Sequence, residues 1–325
     1  MWVGPWRRRT GEKLRKYLKR LRFSGHSSFL TIFKIIKLSA TPPSIVFPYP
    51  LVPLLALSLS CSKIANFIVS LVFVSTYCGA TNLWNHLNDA EIDIKFGREE
   101  FKLLLDVKSY LVAFIVILYI LALILVFYFS FNPQIACILF GVSLIFTWIY
   151  SDRILIGKNF RRFKEHYVTE ILTYLVVLPS SSIVLWSLFS EINMRGIAFA
   201  LMVSFVYFSL IVLKDIKDLS ADEYAGYKTL AVVFPVKSLF KSSIFLGLIC
   251  YVFVLVYCLE HVFPPLNLLG LLSLSLFFHS IFKIRENDWR ITIGKIKYIK
   301  EYVSSYLLFI VLLILANFCS CLNLI

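Results

Sequence analysis

The sequence has little charge: Asp, Glu, Lys and Arg make up only 16% of its 325 residues, whereas 59% of the residues are hydrophobic. Soluble globular domains carry about 25% charged residues, so this composition excludes a water-soluble fold. Apolar runs recur along the chain at about 20 residues each, which is the length that a helix needs to cross the hydrocarbon core of a bilayer. The sequence therefore predicts a polytopic membrane protein.

Alternation of polar and apolar residues is also missing. The segment "YLVAFIVILYILALILVFYF" is apolar at successive positions, whereas the strands of a membrane barrel alternate. Helices then satisfy the backbone in lipid. We predict an all-α fold class, with nine transmembrane helices in one bundle and an N-terminal amphipathic surface helix. The predicted spans are 43–60, 64–88, 109–131, 134–150, 167–189, 196–213, 239–258, 265–283 and 302–323.

Cysteine pairs of the C-x-x-C type are absent from the sequence. Without such pairs, neither a zinc site nor a disulfide framework is predicted. We interpret the cysteines as small apolar residues that lie within the spans or at their ends. The seven cysteines are Cys61, Cys78, Cys137, Cys250, Cys258, Cys319 and Cys321.

The first segment, 1–38, is predicted to be a basic cytoplasmic or interfacial leader, ahead of a membrane domain at 39–325. Apolar side chains on one helical face of the leader, surrounded by Lys and Arg, predict a helix that lies on an anionic membrane surface. The net charge of +14 is thus expected to meet membrane lipid, and no nucleic acid is expected as a partner. The apolar face consists of Leu14, Tyr17, Leu18 and Leu21.

The charges that are present fall on one side of the predicted membrane. Of the 33 Lys and Arg residues, all but Lys63 and Arg195 belong to the leader or to the loops after the even-numbered spans. The positive-inside rule makes this face cytoplasmic, with the N-terminus inside and the C-terminus outside. Of the 19 acidic residues, only Glu191 and Glu260 lie on the opposite side, so we expect the active site on the cytoplasmic face.

A first acidic cluster lies where the second span meets the cytoplasm, in "NLWNHLNDAEID". Asn85, Asp89 and Asp93 are spaced i, i+4 and i+8, so on a helix their side chains form one stripe. A helical stripe of carboxylates at the rim of a membrane protein is typical of a functional site. A solvated face with Lys partners is the structural alternative.

A second acidic cluster, "KDIKDLSADEYAGYKTL", follows the sixth span. Asp215, Asp218 and Asp222 are spaced i, i+3 and i+7, again on one helical face. Carboxylates so close together repel one another unless a cation lies among them. Without thiolate or imidazole partners, they suit Mg²⁺, which takes its remaining ligands from substrate phosphates.

Basic residues stand beside both clusters and after the fourth span. Paired carboxylates, a divalent ion and convergent cations form a site for a polyphosphate group. Above a bundle that contains 30 Phe residues, the ligand that fits is a diphosphate with a long apolar tail, namely an isoprenyl diphosphate. The basic residues are Lys95, Arg98, Arg153, Lys158, Arg161, Arg162 and Lys228.

At this point the two clusters resemble a known family. "NHLNDAEID" is similar to the N-D-x-x-D-x-x-x-D motif of the UbiA superfamily of intramembrane prenyltransferases. "KDIKDLSADEYAGYKTLAV" resembles the second aspartate-rich motif of that family, which continues into a glycine and a basic residue before Thr-Leu. The order of the motifs, at the ends of the second and sixth spans, matches as well. The resemblance implies a nine-helix prenyltransferase domain.

The resemblance also implies roles for individual residues. Tyr150 is similar to the tyrosine that follows the fourth span in the family, but Ile154 stands where a basic residue is usual, so Arg153 or Lys158 is expected to replace it. The implied catalytic residues are Asp89, Asp93, Asp218 and Asp222, and the metal ligands are the same four with Asp215. The implied diphosphate-binding residues are Asn85, Lys95, Arg98, Tyr150, Arg153, Lys158 and Lys228.

The implied reaction is Mg²⁺-dependent transfer of a prenyl group from an isoprenyl diphosphate to an acceptor within the membrane, either an aromatic or quinone precursor or a lipid. Aromatic rings would stabilise an allylic cation, and Trp84, Tyr150 and Tyr174 are the candidates. Three alternatives stay open. They are a membrane terpene cyclase on the same scaffold, a non-enzymatic transporter and a homologue without activity.

Overall fold

A computed structural model describes residues 35–39, 50–154, 161–214, 216, 219–286, 288–289 and 296–322. Over these residues the secondary structure is helical and includes no strand, which confirms the all-α class. The predicted leader helix and the first part of the first predicted span, 43–49, lie outside the described residues.

Nine helices are numbered in chain order. They are α1 (Val52–Ser60), α2 (Ile64–Lys95), α3 (Lys108–Phe129), α4 (Pro133–Ser151), α5 (Tyr167–Ser187), α6 (Met194–Ile211), α7 (Val236–Leu259), α8 (Pro265–Glu286) and α9 (Ile296–Cys321). Short helical segments lie between them at Glu99–Phe101, Lys102–Asp106, Phe163–Glu165, Leu219–Tyr224 and Leu230–Val233.

Eight of these helices, α2 to α9, are long and apolar enough to cross a membrane, counted over the described part of the chain. The protein is therefore an integral membrane protein. Helix α1 is only nine residues long as described, because the first part of its predicted span is not covered. The ninth span and the N-terminal surface helix accordingly stay predictions.

The helices form a closed ring in chain order. Each helix packs against the next one along the chain, and α9 returns to pack against α1. Short connections between successive helices make neighbours antiparallel, so the loops after α2, α4, α6 and α8 lie at one end of the bundle. Both acidic clusters fall at this end, which we call the motif end.

The opposite end of the ring is held by hydrogen bonds between loops. The Arg195 guanidinium donates to the carbonyl oxygens of Leu59, at 3.2 Å, and of Val262, at 2.9 Å. The Asn132 side chain accepts from the backbone N–H of Ile192 at 2.7 Å. These bonds satisfy carbonyl and N–H groups that helix ends leave without intrahelical partners.

A disulfide between Cys61 and Cys321 joins the C-terminal ends of α1 and α9. The two residues are 260 positions apart in sequence, and their Cα atoms are 5.8 Å apart. The interpretation of all seven cysteines as small apolar residues is wrong for this pair. No local spacing in the sequence predicts this disulfide, because the two cysteines come together only when the ring of helices closes.

We expect replacement of the disulfide by C61S/C321S to destabilise the protein, since the bond restricts a long loop of the unfolded chain. The expected loss of unfolding free energy is about 2–4 kcal/mol. Thermal denaturation in detergent checks this value. C319S, at a half-buried free cysteine two residues away on α9, is the matched control and should leave the midpoint unchanged. Equal midpoints for C61S/C321S and C319S would contradict the stabilising role.

Candidate active site at the motif end

Helix α2 continues past the membrane-spanning part and carries the first acidic cluster. It ends at Lys95 rather than at the predicted residue 88, so Asn85, Asp89 and Asp93 lie on one continuous helix. Leu87 and Ala90 on this part of the helix are buried. One turn earlier, the Trp84 ring is fully buried and stacks on Trp148, with ring centroids 4.1 Å apart. Trp84 was a candidate for stabilising the allylic cation, but its ring is stacked on Trp148 and is not exposed.

Asp89 is bound by two cations that come from the segment after α4. Its Oδ1 atom accepts from the Arg162 guanidinium at 2.9 Å, and its Oδ2 atom accepts from Lys164 Nζ. Lys164 also donates to Asn85 Oδ1 at 3.1 Å. The side chain of Arg162 is only 1% exposed and that of Lys164 14%. The 3₁₀ turn Phe163–Glu165 thus places both basic residues against the first acidic cluster.

The charges of this cluster depend on one another. Burial lowers the pKa of Arg162, but Asp89, Tyr227 and Glu165 together outweigh burial, and the net pKa of the guanidinium is raised. Burial also lowers the pKa of Lys164; the Asp89 carboxylate opposes this effect and the Arg162 charge adds to it. Arg162 therefore stays protonated. Asp89 and Glu165 balance the two cations, so these four side chains form a network of ion pairs with no net charge.

The same guanidinium reaches the second acidic cluster. Arg162 donates to the Tyr227 hydroxyl at 2.5 Å and to Glu165 Oε1 at 2.7 Å. Backbone bonds of 2.8 Å run from Lys228 N–H to the Glu165 carbonyl and from Tyr167 N–H to the Lys228 carbonyl. The segments that follow α4 and α6 are thereby held side by side, and Asp89 and Tyr227 share one bridging residue.

Within the second cluster, the structure describes Asp222, whereas Asp215 and Asp218 lie outside the described residues. Asp222 Oδ2 accepts from the Thr229 hydroxyl at 3.0 Å. The neighbouring Tyr224 ring lies against Phe96, which follows α2, with centroids 5.5 Å apart. The loops after α2 and α6 therefore meet at the motif end.

The other predicted binding residues lie around this cluster in different ways. Arg98 pairs with Asp93 at 2.8 Å. Arg153 has an exposed side chain, and its backbone N–H donates to the Asn88 side chain at 2.7 Å. Lys95 and Lys228 have exposed side chains. Lys158 lies outside the described residues.

Sequence reasoning missed Lys164 and gave Arg162 no particular role. The expected substitutes for the missing basic residue at Ile154 were Arg153 and Lys158. The structure instead brings Arg162 and Lys164 to the first motif after a loop. Their signal in the sequence is weak, because a loop separates them from α4 and no fixed spacing applies to it.

Tyr150, near the end of α4, lies in a second polar cluster beside the first. Its hydroxyl is 2.6 Å from the Tyr174 hydroxyl and 2.7 Å from Lys214 Nζ. Both tyrosine rings lie near the Lys214 ammonium, with centroids at 5.3 and 5.0 Å. The predicted aromatic pair Tyr150 and Tyr174 thus lies next to a fixed positive charge.

The donor atoms fit a hard divalent cation. Asp89, Asp93 and Asp222 carry carboxylate oxygens, the ligands that Mg²⁺ prefers, and in this structure these carboxylates accept from Arg162 and Lys164, from Arg98 and from Thr229, respectively. Among the described residues, no group of three or more His, Cys, Asp and Glu side chains converges on one point. Two of the five predicted ligands, Asp215 and Asp218, lie outside that part of the chain.

Known proteins are similar to this chain in sequence and in fold. The sequence pattern of the UbiA prenyltransferase family matches residues 46–293. The chain belongs to this family. An uncharacterized protein of Archaeoglobus fulgidus is 40% identical to this UbiA family member over 280 residues, which are 86% of this chain and 97% of the relative.

Solved structures share the fold of this UbiA family member. A structure of a digeranylgeranylglyceryl phosphate synthase has a TM-score of 0.64 and 16% identity, over 89% of this chain and 98% of that one. A UbiA homolog from Archaeoglobus fulgidus bound to DMAPP and Mg²⁺ has a TM-score of 0.57 and 13% identity, over 90% and 100%. At such low identity these likenesses show the fold alone, and with the family match they confirm the resemblance of the motifs.

We expect R162A to destabilise the motif end, because it leaves Asp89 and Glu165 without their buried partner. The expected loss of unfolding free energy is about 2–3 kcal/mol. Thermal denaturation in detergent measures this loss. The adjacent Arg161 is exposed, so R161A removes the same charge and should change stability little. An R162A protein as stable as R161A would show that the ion pair contributes nothing to stability.

Proposed function

We propose that the protein is a Mg²⁺-dependent prenyltransferase that transfers a prenyl group from an isoprenyl diphosphate to a lipophilic acceptor in the membrane. The observation that carries the proposal is the position of Arg162, which binds Asp89 of the first motif and Tyr227 of the second. One cation joining both acidic motifs at one end of a helical bundle suits a single diphosphate that lies between them. Membership in the UbiA prenyltransferase family supports the same class of reaction.

The nature of the donor is supported by the structural relatives. Two structures of a UbiA homolog from Archaeoglobus fulgidus hold DMAPP or GPP together with Mg²⁺. In this chain, Mg²⁺ held by Asp89, Asp93, Asp215, Asp218 and Asp222 would neutralise charge on the diphosphate leaving group. The donor class we propose is therefore an isoprenyl diphosphate, with its apolar tail among the helices of the ring.

The residues of the protein would bind and orient the donor. Asn85 and Lys164 lie together at the first motif and would present an amide and an ammonium to the diphosphate, whereas the buried Arg162 holds Asp89 in place. Lys95, Arg98, Arg153, Lys158 and Lys228 are proposed as further diphosphate-binding residues from the resemblance. The rings of Tyr150 and Tyr174 would stabilise positive charge on the prenyl carbon and help to exclude water. The bond between this carbon and the diphosphate oxygen would break and release diphosphate; the acceptor would bond to the carbon and lose a proton.

The alternatives make different demands on the molecule. A transporter should place ionised side chains near the middle of the membrane. The buried charged residues among those described, Asp152, Arg162 and Glu170, all lie in or beside the loop that joins α4 to α5. A terpene cyclase would use the same site but would consume the donor without an acceptor. Product analysis with and without acceptor lipids separates cyclase from transferase.

We expect D89N to reduce turnover of an isoprenyl diphosphate by about 100-fold or more, because Asn keeps the shape but loses the charge. The assay measures pyrophosphate release with Mg²⁺, a panel of prenyl diphosphates and a membrane lipid extract as acceptor source. Glu91 lies exposed on the same helix, so E91Q is the matched control and should keep wild-type turnover. Folded D89N protein that turns over at the wild-type rate would overturn the assignment.

We also propose that the motif end faces the cytoplasm, with the N-terminus inside and the C-terminus outside. The Lys and Arg residues of the loops at this end support this orientation. In a background without the five free cysteines, a membrane-impermeant maleimide added to intact cells should label E191C and not K237C. The reverse labelling pattern would show that the topology is the opposite of the one proposed. As a control, both variants should be labelled in permeabilised cells.

A further inference from the structure

Lys214 opens the second acidic motif, yet the motif pattern gives it no role. It follows the end of α6, and its ammonium contacts two neighbouring helices. It donates to the hydroxyls of Tyr150 and Tyr174 and lies 3.3 Å from Glu170 Oε1. Tyr150 belongs to α4, whereas Glu170 and Tyr174 are four residues apart on α5, so that their side chains lie on the same face. Three parts of the ring thus converge on one ammonium.

The two charges of this pair differ in their surroundings. The Glu170 side chain is 1% exposed, whereas that of Lys214 is 35% exposed. A carboxylate sealed in this way needs a cation beside it, which accounts for the pairing. The Lys214 side chain, by contrast, is partly exposed to solvent. An ion pair that only fastened α5 to α6 would not require this exposure.

The partly exposed Lys214 side chain lies at the motif end, beside the diphosphate site proposed above. Its ammonium donates at 2.7 Å to the hydroxyl of Tyr150, a proposed diphosphate-binding residue. Ser151, the next residue on α4, donates at 2.9 Å to Asn85 of the first motif. An ammonium in this position can form charge-assisted hydrogen bonds to the oxygens of a diphosphate.

We propose that Lys214 is a further binding residue for the diphosphate of the donor, and that Glu170 is the counter-ion that holds its ammonium at the rim. The inference rests on the proposed function. It adds the second polar cluster to the diphosphate site, beside the Asp89 cluster. The hydroxyls of Tyr150 and Tyr174 also accept hydrogen bonds from this ammonium.

The test measures the affinity of the full-length protein in detergent for inorganic pyrophosphate with Mg²⁺, by calorimetry. This readout needs neither an acceptor nor turnover. K214M should weaken binding by about tenfold or more, as expected for loss of a charged hydrogen bond. K214R keeps the charge and should stay within about threefold of wild type.

Two further variants keep the test sharp. K214M leaves the Glu170 carboxylate buried without its cation and so threatens folding. The double variant E170Q/K214M removes both charges, and we expect it to fold and to bind pyrophosphate as weakly as K214M. Lys241 is exposed near the same end on α7, so K241M removes an equal charge elsewhere and should bind like wild type.

The outcomes separate this inference from the proposed function. If E170Q/K214M binds Mg²⁺-pyrophosphate as tightly as wild type, the pair only fastens α5 to the end of α6, and the inference fails while the proposed function stands. If the wild-type protein itself binds no Mg²⁺-pyrophosphate, both fail. Weak binding by the double variant beside normal binding by K241M supports the assignment of Lys214.

Discussion

The ion pair between Asp89 and Arg162 is the interaction on which the motif end depends. A guanidinium that is almost wholly buried needs anionic partners, and Arg162 finds them in Asp89 and Glu165. These contacts fix the segment after α4 against α2. The backbone of Lys228, which donates to Glu165 and accepts from Tyr167, then fixes the segment after α6 against the same surface. Burial of the Arg162 guanidinium thus holds together α2 and the segments that follow α4 and α6.

The rest of the ring meets a different physical demand, because polar groups inside a membrane bundle must find partners within it. Ser209, Ser243, Tyr302 and Tyr306 form one buried hydroxyl cluster among α6, α7 and α9. Asn267 and Asn317 exchange amide hydrogen bonds of 2.9 Å between α8 and α9. Gly247 leaves room for this network, because a Cβ at this position would lie 2.0 Å from the Tyr306 hydroxyl oxygen. These hydrogen-bonded groups join helices, whereas ion pairs join the segments at the motif end.

The two ends of the bundle are therefore built for different purposes. The end opposite the motifs is closed by the Cys61–Cys321 disulfide and by Arg195, which spans two loops. The contacts described at the motif end are ion pairs and hydroxyl contacts. A polar end above an apolar interior is what the proposed binding of a diphosphate with an apolar tail requires.

Much of this organisation was already written in the sequence. Hydrophobic length decided where α2 to α9 lie, because a membrane leaves helices few other lengths. Helical spacing put Asn85, Asp89 and Asp93 on one face of α2, because a single continuous helix carries all three. The family resemblance of the two motifs followed from the same residues. Each of these features is local, or depends on a pattern repeated along the chain.

Tertiary structure alone decided which distant groups meet. Lys164 reaches Asp89 across 75 residues, and Cys61 reaches Cys321 across 260, because the ring closes on itself and its loops fold over the helix ends. Composition and periodicity carry no signal for such pairs, since loop length varies freely and any of several basic residues satisfies the same charge. The sequence by itself determined the helices and the acidic stripe of α2; the packing of the helices decided which cations face that stripe.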